Sequence, residues 1–101
     1  METIIDGKTY STDTAKYICG TTYEGTRGYS TFYRKQLYRT RKGQFFLDYE
    51  GGNMTEFAID EFGNDEGSSG IMLYDDDEAK EFIEKYGTVD MYNDLFGYIE
   101  G

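Results

Sequence analysis

The 101-residue sequence predicts a small α+β domain: a mainly antiparallel β-sheet with one short N-terminal helix and two C-terminal helices packed on it. Three observations predict it. Asp6-Gly7 stands between two short β-leaning runs, a strong hairpin signal because both central positions of a two-residue type I′ turn need φ > 0. Phe45, Leu47 and Tyr49 alternate with Gln44, Phe46 and Asp48, the period of a strand with one mainly apolar face. Ala79, Phe82, Ile83 and Tyr86 recur at i, i+3, i+4 and i+7, the period of an amphipathic helix.

Taken along the chain, "TIIDGKTY" is the first hairpin. In "STDTAKYICG", Ser11 or Thr12 can cap a short helix over residues 12–19, with Ala15, Ile18 and Cys19 on one face and Gly20 at its C′ position. Residues 20–28 read as a Gly-containing loop. Leu37 and Tyr38 lie in the strand expected to pair with 45–49, "TRKG" connects the two, and Gly51 and Gly52 end the hairpin. "NMTEFAIDEFG" reads either as a helix start with an Asn53/Glu56 capping box or as a strand through "TEFAI". "GNDEGSSG" reads as a polar, mobile loop and "IMLY" as a short buried strand completing the sheet. Next comes "DDDEAKEFIEKYG". Asp75 as N-cap puts Glu78 at N3 of a capping box, with Tyr74 and Ala79 at the staple positions, and Gly87 ends the helix. Thr88 can cap the last helix, in which Met91, Tyr92, Leu95 and Phe96 point inward.

The length suits a single domain, residues 1–101, with a small core. Leu, Ile, Val and Phe together number 19 and the net charge is −10, a composition that leans toward disorder. Eleven tyrosines push the other way, since each ring can bury a large apolar area. With the regular patterns above, the chain is expected to fold with little stability to spare. No apolar run approaches the ~18 residues of a membrane span, and "METIIDGKTY" lacks a signal-peptide core, so the expectation is a soluble protein of the cytoplasm.

Several chemistries lack their residues. One cysteine and no histidine close off internal disulfides, multi-cysteine zinc sites and most soft-metal binding. Cys19 has no histidine to activate it and reads as a buried structural thiol. An EF-hand register from Asp60 places Phe62 at position 3 and Asp65 where glycine belongs. In the acidic run itself, successive helical residues diverge by about 100°, so Asp75, Asp76, Asp77 and Glu78 do not converge on a metal. The expectation is a non-enzymatic protein with no metal and no cofactor.

Charge is instead arranged as surface. Residues 1–47 carry eight basic and four acidic side chains, and residues 48–101 carry two basic and sixteen acidic. Asp77, Glu81 and Glu84 fall at i, i+4 and i+7 on the solvent side of the first C-terminal helix, and Asp90 and Asp94 repeat the i, i+4 spacing on the second. Asp76–Lys80 and Glu81–Lys85 pairs are expected to neutralise part of this stripe. Beside the reading as an ordinary solvated face, Asp75, Asp76, Asp77, Glu81, Glu84, Asp90 and Asp94 read as a partner-binding row of carboxylates that imitates a nucleic-acid backbone. The alternative contact is the basic-aromatic stretch 29–42, "YSTFYRKQLYRTRK". There Arg34, Lys35, Tyr38, Arg39, Arg41 and Lys42 mix cations with stackable rings, suited to nucleic acid, to the chain's own acidic half or to a second copy in a homodimer.

"IDGKTYSTDTAKYI", "LYRTRKGQFFLDYEGGNMTEFA" and "DDDEAKEFIEKYG" followed by "DMYNDLFG" resemble, in that order, a family of small acidic proteins of phages, plasmids and conjugative elements of Firmicutes. The chain departs from that pattern in its more basic "KQLYRTRK" and in lacking a proline before the acidic helix. Such families include anti-defence proteins, among them anti-CRISPR inhibitors. The resemblance therefore implies an inhibitor that binds a Cas effector of its host, Cas9 ahead of a multi-subunit complex, and blocks DNA or guide RNA binding.

Overall fold

The computed structural model describes residues 1–23, 31–52, 59–61, 64–66, 68–98 and 100–101. Among these residues eight strands precede two helices: β1 (Glu2–Ile5), β2 (Lys8–Ser11), β3 (Lys16–Tyr23), β4 (Tyr33–Arg39), β5 (Phe45–Gly51), β6 (Ile59–Glu61), β7 (Asn64–Glu66), β8 (Ser68–Tyr74), α1 (Asp76–Tyr86) and α2 (Val89–Phe96). The α+β class is as the sequence predicts, and every strand pairing is antiparallel. Among the described residues both helices are C-terminal; the expected N-terminal helix over residues 12–19 is replaced by turn residues and strand β3.

A bulge explains that correction. β3 pairs Tyr17 with Tyr38 and Cys19 with Leu37, leaving Ile18 as an extra residue at a register shift. Ile18 and Cys19 are therefore buried side by side, and two adjacent apolar residues three beyond Ala15 mimic a helical face. Gly20 is no helix cap: an added Cβ there would lie 2.6 Å from the Lys35 carbonyl oxygen on β4, a backbone approach only glycine allows.

The central sheet has the order β3-β4-β5-β8. Leu37 pairs with Leu47, and Leu47 with Met72, across three neighbouring strands. β8 begins at Ser68, three residues before "IMLY", because Ser68, Ser69 and Gly70 continue the ladder opposite Gly51, Glu50 and Tyr49. Backbone pairing does not require apolar side chains, so this polar segment gave no strand signal. β6 and β7 form a separate two-stranded ladder, so Asn64–Glu66 is strand where a loop was expected. The Asn53/Glu56 capping-box alternative lies outside the described residues.

The first hairpin is as read, with Asp6 at φ 51° and Gly7 at φ 75° and Ile5 opposite Lys8. It forms a two-stranded sheet of its own rather than joining the central one, and it covers the face of β5 opposite the helices. Tyr10 from β2 meets Phe46 edge-on at 5.9 Å, and Tyr38 stacks on the same ring at 5.4 Å. β5 is thus buried on both faces, with Phe45, Phe46, Leu47 and Asp48 all in the interior, whereas the sequence suggested one apolar face.

On the other side Ala79, Phe82 and Ile83 of α1 join Ile18, Cys19, Leu37, Phe45 and Leu47 in one core cluster. Met91, Tyr92, Leu95 and Phe96 of α2 pack against it, and Phe96 lies 5.7 Å from Phe45. Helices of 11 and 8 residues are too short to persist alone. Burying a side chain such as Phe82 or Ile83 contributes roughly 1.5–3 kcal/mol, so packing holds them in place.

Within this core, burial pushes the Cys19 thiol from its ordinary 9.0 up to about 11. A thiolate at pH 8 is then about one molecule in a thousand, and the sulfur is enclosed besides. Cys19 should resist a disulfide reagent in the native protein and react at once in denaturant; rapid native labelling would refute its burial. Because the raised value favours the protonated thiol, the stability it supports holds below pH 9 and declines as pH rises toward 11.

Candidate functional site

The acidic C-terminal layer is built by capping and amphipathicity together. Asp75 is the N-cap of α1: its Oδ1 accepts from the Glu78 N–H at 2.8 Å, and its own N–H donates to Glu78 Oε1 at 3.1 Å. This is the predicted capping box. Thr88 caps α2, its hydroxyl oxygen accepting from the Met91 N–H at 3.2 Å. Asp76, Asp77 and Glu78 sit in the first turn of α1, where the helix dipole favours negative charge.

The dipole of α2 likewise favours Asp90 in its first turn, and none of the stripe carboxylates has an ion-pair partner among the described residues. Asp77, Glu81 and Glu84 are exposed on the side of α1 opposite its buried residues, and Asp90 and Asp94 are exposed on α2. The expected neutralising pairs do not form. Lys80 lies over the Phe96 ring at 5.1 Å and Lys85 over the Tyr86 ring at 5.4 Å. Among the described residues the ion pairs are those of Arg34 with Asp48 at 3.2 Å and with Glu50 at 3.9 Å. The physical reason is local: an exposed i, i+4 pair is worth only a few tenths of a kcal/mol, while an aromatic face attracts an ammonium by about 0.5–1 kcal/mol and covers its methylene stem. Glu81 borders a cleft of about 230 Å³ shared with Lys35 and Lys85.

Strand alternation divides the basic-aromatic set 29–42. Arg34 and Tyr38 point to the hairpin-covered face; Lys35 and Arg39 point to the helix-covered face. Arg34 spans Asp48 and Gln36, the latter at 2.8 Å. Tyr38 stacks on Phe46, and its hydroxyl is harder to ionise than usual, through burial first and the Asp48 charge second. Both are structural in this arrangement. Lys35 lies 5.4 Å from the Tyr33 ring and Arg39 5.0 Å from the Phe45 ring. Arg41 and Lys42 stand exposed in the β4–β5 turn. Tyr29 lies outside the described residues.

Two cations that sequence reading passed over belong with that turn. Arg41 and Lys42 line two adjoining clefts, one shared with Lys16 from β3 and the other with Lys8 from β2. Lys8 and Lys16 are each isolated in the chain, so no local pattern marks them. Among the described residues no group of three or more Cys, Asp or Glu side chains is placed to hold a metal, and no helix is long and apolar enough to cross a membrane. Comparison with protein-family models, with curated proteins and with solved structures finds no match for this chain.

Proposed function

We propose that this chain is a non-enzymatic inhibitor that acts through the acidic face of α1 and α2, occupying a groove lined by lysines and arginines in a protein that handles nucleic acid. The observation that carries the reading is the uncompensated stripe: Asp77, Glu81 and Glu84 lie opposite the core of α1, while the lysines of that helix rest on aromatic rings instead of on carboxylates. Carboxylates crowded without partners oppose folding, and a basic groove removes that cost when they enter it. Asp76, Asp90 and Asp94 extend the stripe; Asp75 contributes mainly by capping the helix that presents it.

The partner class comes from the sequence resemblance to anti-defence proteins of mobile elements: a Cas effector in the cytoplasm of the host cell, with Cas9 first. The mechanism is steric and electrostatic, with helix carboxylates on the residues that would hold target DNA or guide RNA. Complementarity of this kind acts strongly on association rate and weakens as salt screens it. The test is target-DNA binding by guide-loaded Cas effectors, Cas9 of a Firmicute host among them, with and without the protein at low and moderate salt. Loss of DNA binding that recovers as salt rises is expected. Undiminished DNA binding across the effectors, or inhibition indifferent to salt, would sink this mechanism.

A further inference from the structure

The chain carries ten lysines and arginines and twenty aspartates and glutamates, yet one end of the fold inverts that ratio. Two adjoining clefts of about 600 and 710 Å³ share the β4–β5 turn. Their linings hold Lys8, Lys16, Arg39, Arg41 and Lys42, half of all the cations, and no carboxylate. The five come from β2, β3, the end of β4 and the turn, so only folding gathers them. None has an ion-pair partner among the described residues.

The turn that carries them is well held. The Thr40 N–H donates to the Gln44 carbonyl at 2.8 Å, the Gly43 N–H to the Thr40 carbonyl at 2.9 Å, and the Gln44 N–H to Thr40 Oγ1 at 3.1 Å. Arg39 is positioned by its stacking on Phe45 and by its Nε–H, directed at the Gly43 carbonyl at 3.4 Å. Lys16, Arg39, Arg41 and Lys42 line the first cleft and Lys8, Arg41 and Lys42 the second, and an anion seated in either relieves the repulsion among its like charges. Arg and Lys donors suit phosphate oxygens, with the Thr14 hydroxyl in both clefts as a neutral partner.

The size of the anion follows from the charge around it. With +5 in the clefts and −10 overall, the rest of the chain carries −15. A long nucleic-acid strand leaving the clefts runs along that surface and is repelled. An anion that stays within about 8 Å of the cations, the screening length at physiological salt, meets chiefly the positive charge. We infer that the clefts around the β4–β5 turn bind a compact, multiply charged phosphate, a pyrophosphate group such as a nucleoside diphosphate carries. This inference stands on residues other than the acidic stripe and does not depend on the proposed inhibition.

The experiment is calorimetric titration of the whole protein with inorganic pyrophosphate at low salt. Saturable binding is expected, weakened about tenfold or more in an Arg41→Gln/Lys42→Gln variant, as the loss of charge-assisted hydrogen bonds implies. Lys16→Gln, an exposed change on a different strand, should weaken it too. Both variants should keep the fold, checked by circular dichroism, since all three side chains are exposed. A protein with Asp77, Glu81 and Glu84 changed to Lys should bind pyrophosphate no less tightly than the native chain. Absence of saturable binding, affinity unmoved by the two glutamine variants, or tighter binding of a single-stranded oligonucleotide than of pyrophosphate would each overturn the inference.

Discussion

Changing Asp77, Glu81 and Glu84 together to Lys should abolish the proposed inhibition of a Cas effector while leaving a folded protein. The net charge moves from −10 to −4, and a row whose sign suits lysines and arginines becomes one that repels them. Close charge pairs across an interface couple by about 1.5–7 kcal/mol, so reversing three exposed members weakens the complex by at least a hundredfold, mostly in association rate and salt dependence. The fold tolerates the change because all three side chains are exposed, opposite Ala79, Phe82 and Ile83, and Lys has helix propensity close to that of Glu. The cost should come chiefly at Asp77, where a cation in the first turn opposes the helix dipole by about 0.3–1 kcal/mol. Binding and inhibition by the triple variant, beside its thermal melt, decide the matter. Full inhibition by a folded variant places the contact elsewhere.

Phe46→Ala should be the most damaging single substitution on the hairpin-covered face. The ring is 0% exposed and is held between Tyr10, edge-on at 5.9 Å, and Tyr38, stacked at 5.4 Å. Truncating a buried phenylalanine costs about 3–5 kcal/mol, against a total stability of about 5–15 kcal/mol for a domain of ordinary kind. The same change removes the seat of Tyr10, so the β1–β2 hairpin loses its contact with β5. Urea unfolding should show a lower midpoint, and amide exchange in residues 2–11 should rise more than in β4. Leu73→Ala, in a side chain 36% exposed on β8 and paired with Phe46, is the comparison and should cost far less. Equal losses at the two positions would mean that the hairpin does not seal that face.

The elements that local chemistry specifies were legible in the chain. Asp6-Gly7 makes its turn because two adjacent residues must adopt positive φ, and the Asp75/Glu78 box forms because its partners are three residues apart. Both C-terminal helices follow from apolar spacing within a dozen residues, and so does the solvent-facing side on which Asp77, Glu81 and Glu84 stand. Where β3 was misread, the pattern itself was real: Ala15, Ile18 and Cys19 have helical spacing, but a bulge opposite β4 produces it. Strand pairing with a segment far along the chain overrides a short amphipathic pattern, since each paired residue gains a partner that no nearby sequence announces.

The same distinction governs the candidate sites. The acidic stripe was written along one helix period, and the charges at i, i+4 and i+7 could be counted before any fold was known. Whether Lys80 and Lys85 would neutralise it was not, because the competing partners are ring faces, Tyr86 beside Lys85 in the chain and Phe96 brought over Lys80 by the packing of the next helix. The basic stretch 29–42 looked like one surface, yet strand alternation sends Arg34 and Tyr38 to one face and Lys35 and Arg39 to the other. Lys8, Lys16, Arg41 and Lys42, scattered over three segments, meet around one turn. Turns, caps and helix faces arise from interactions within a few residues, so composition and spacing suffice to place them. Gathering charges from separate strands depends on register and on which face each strand buries, and those are set when the β-sheet closes on its core.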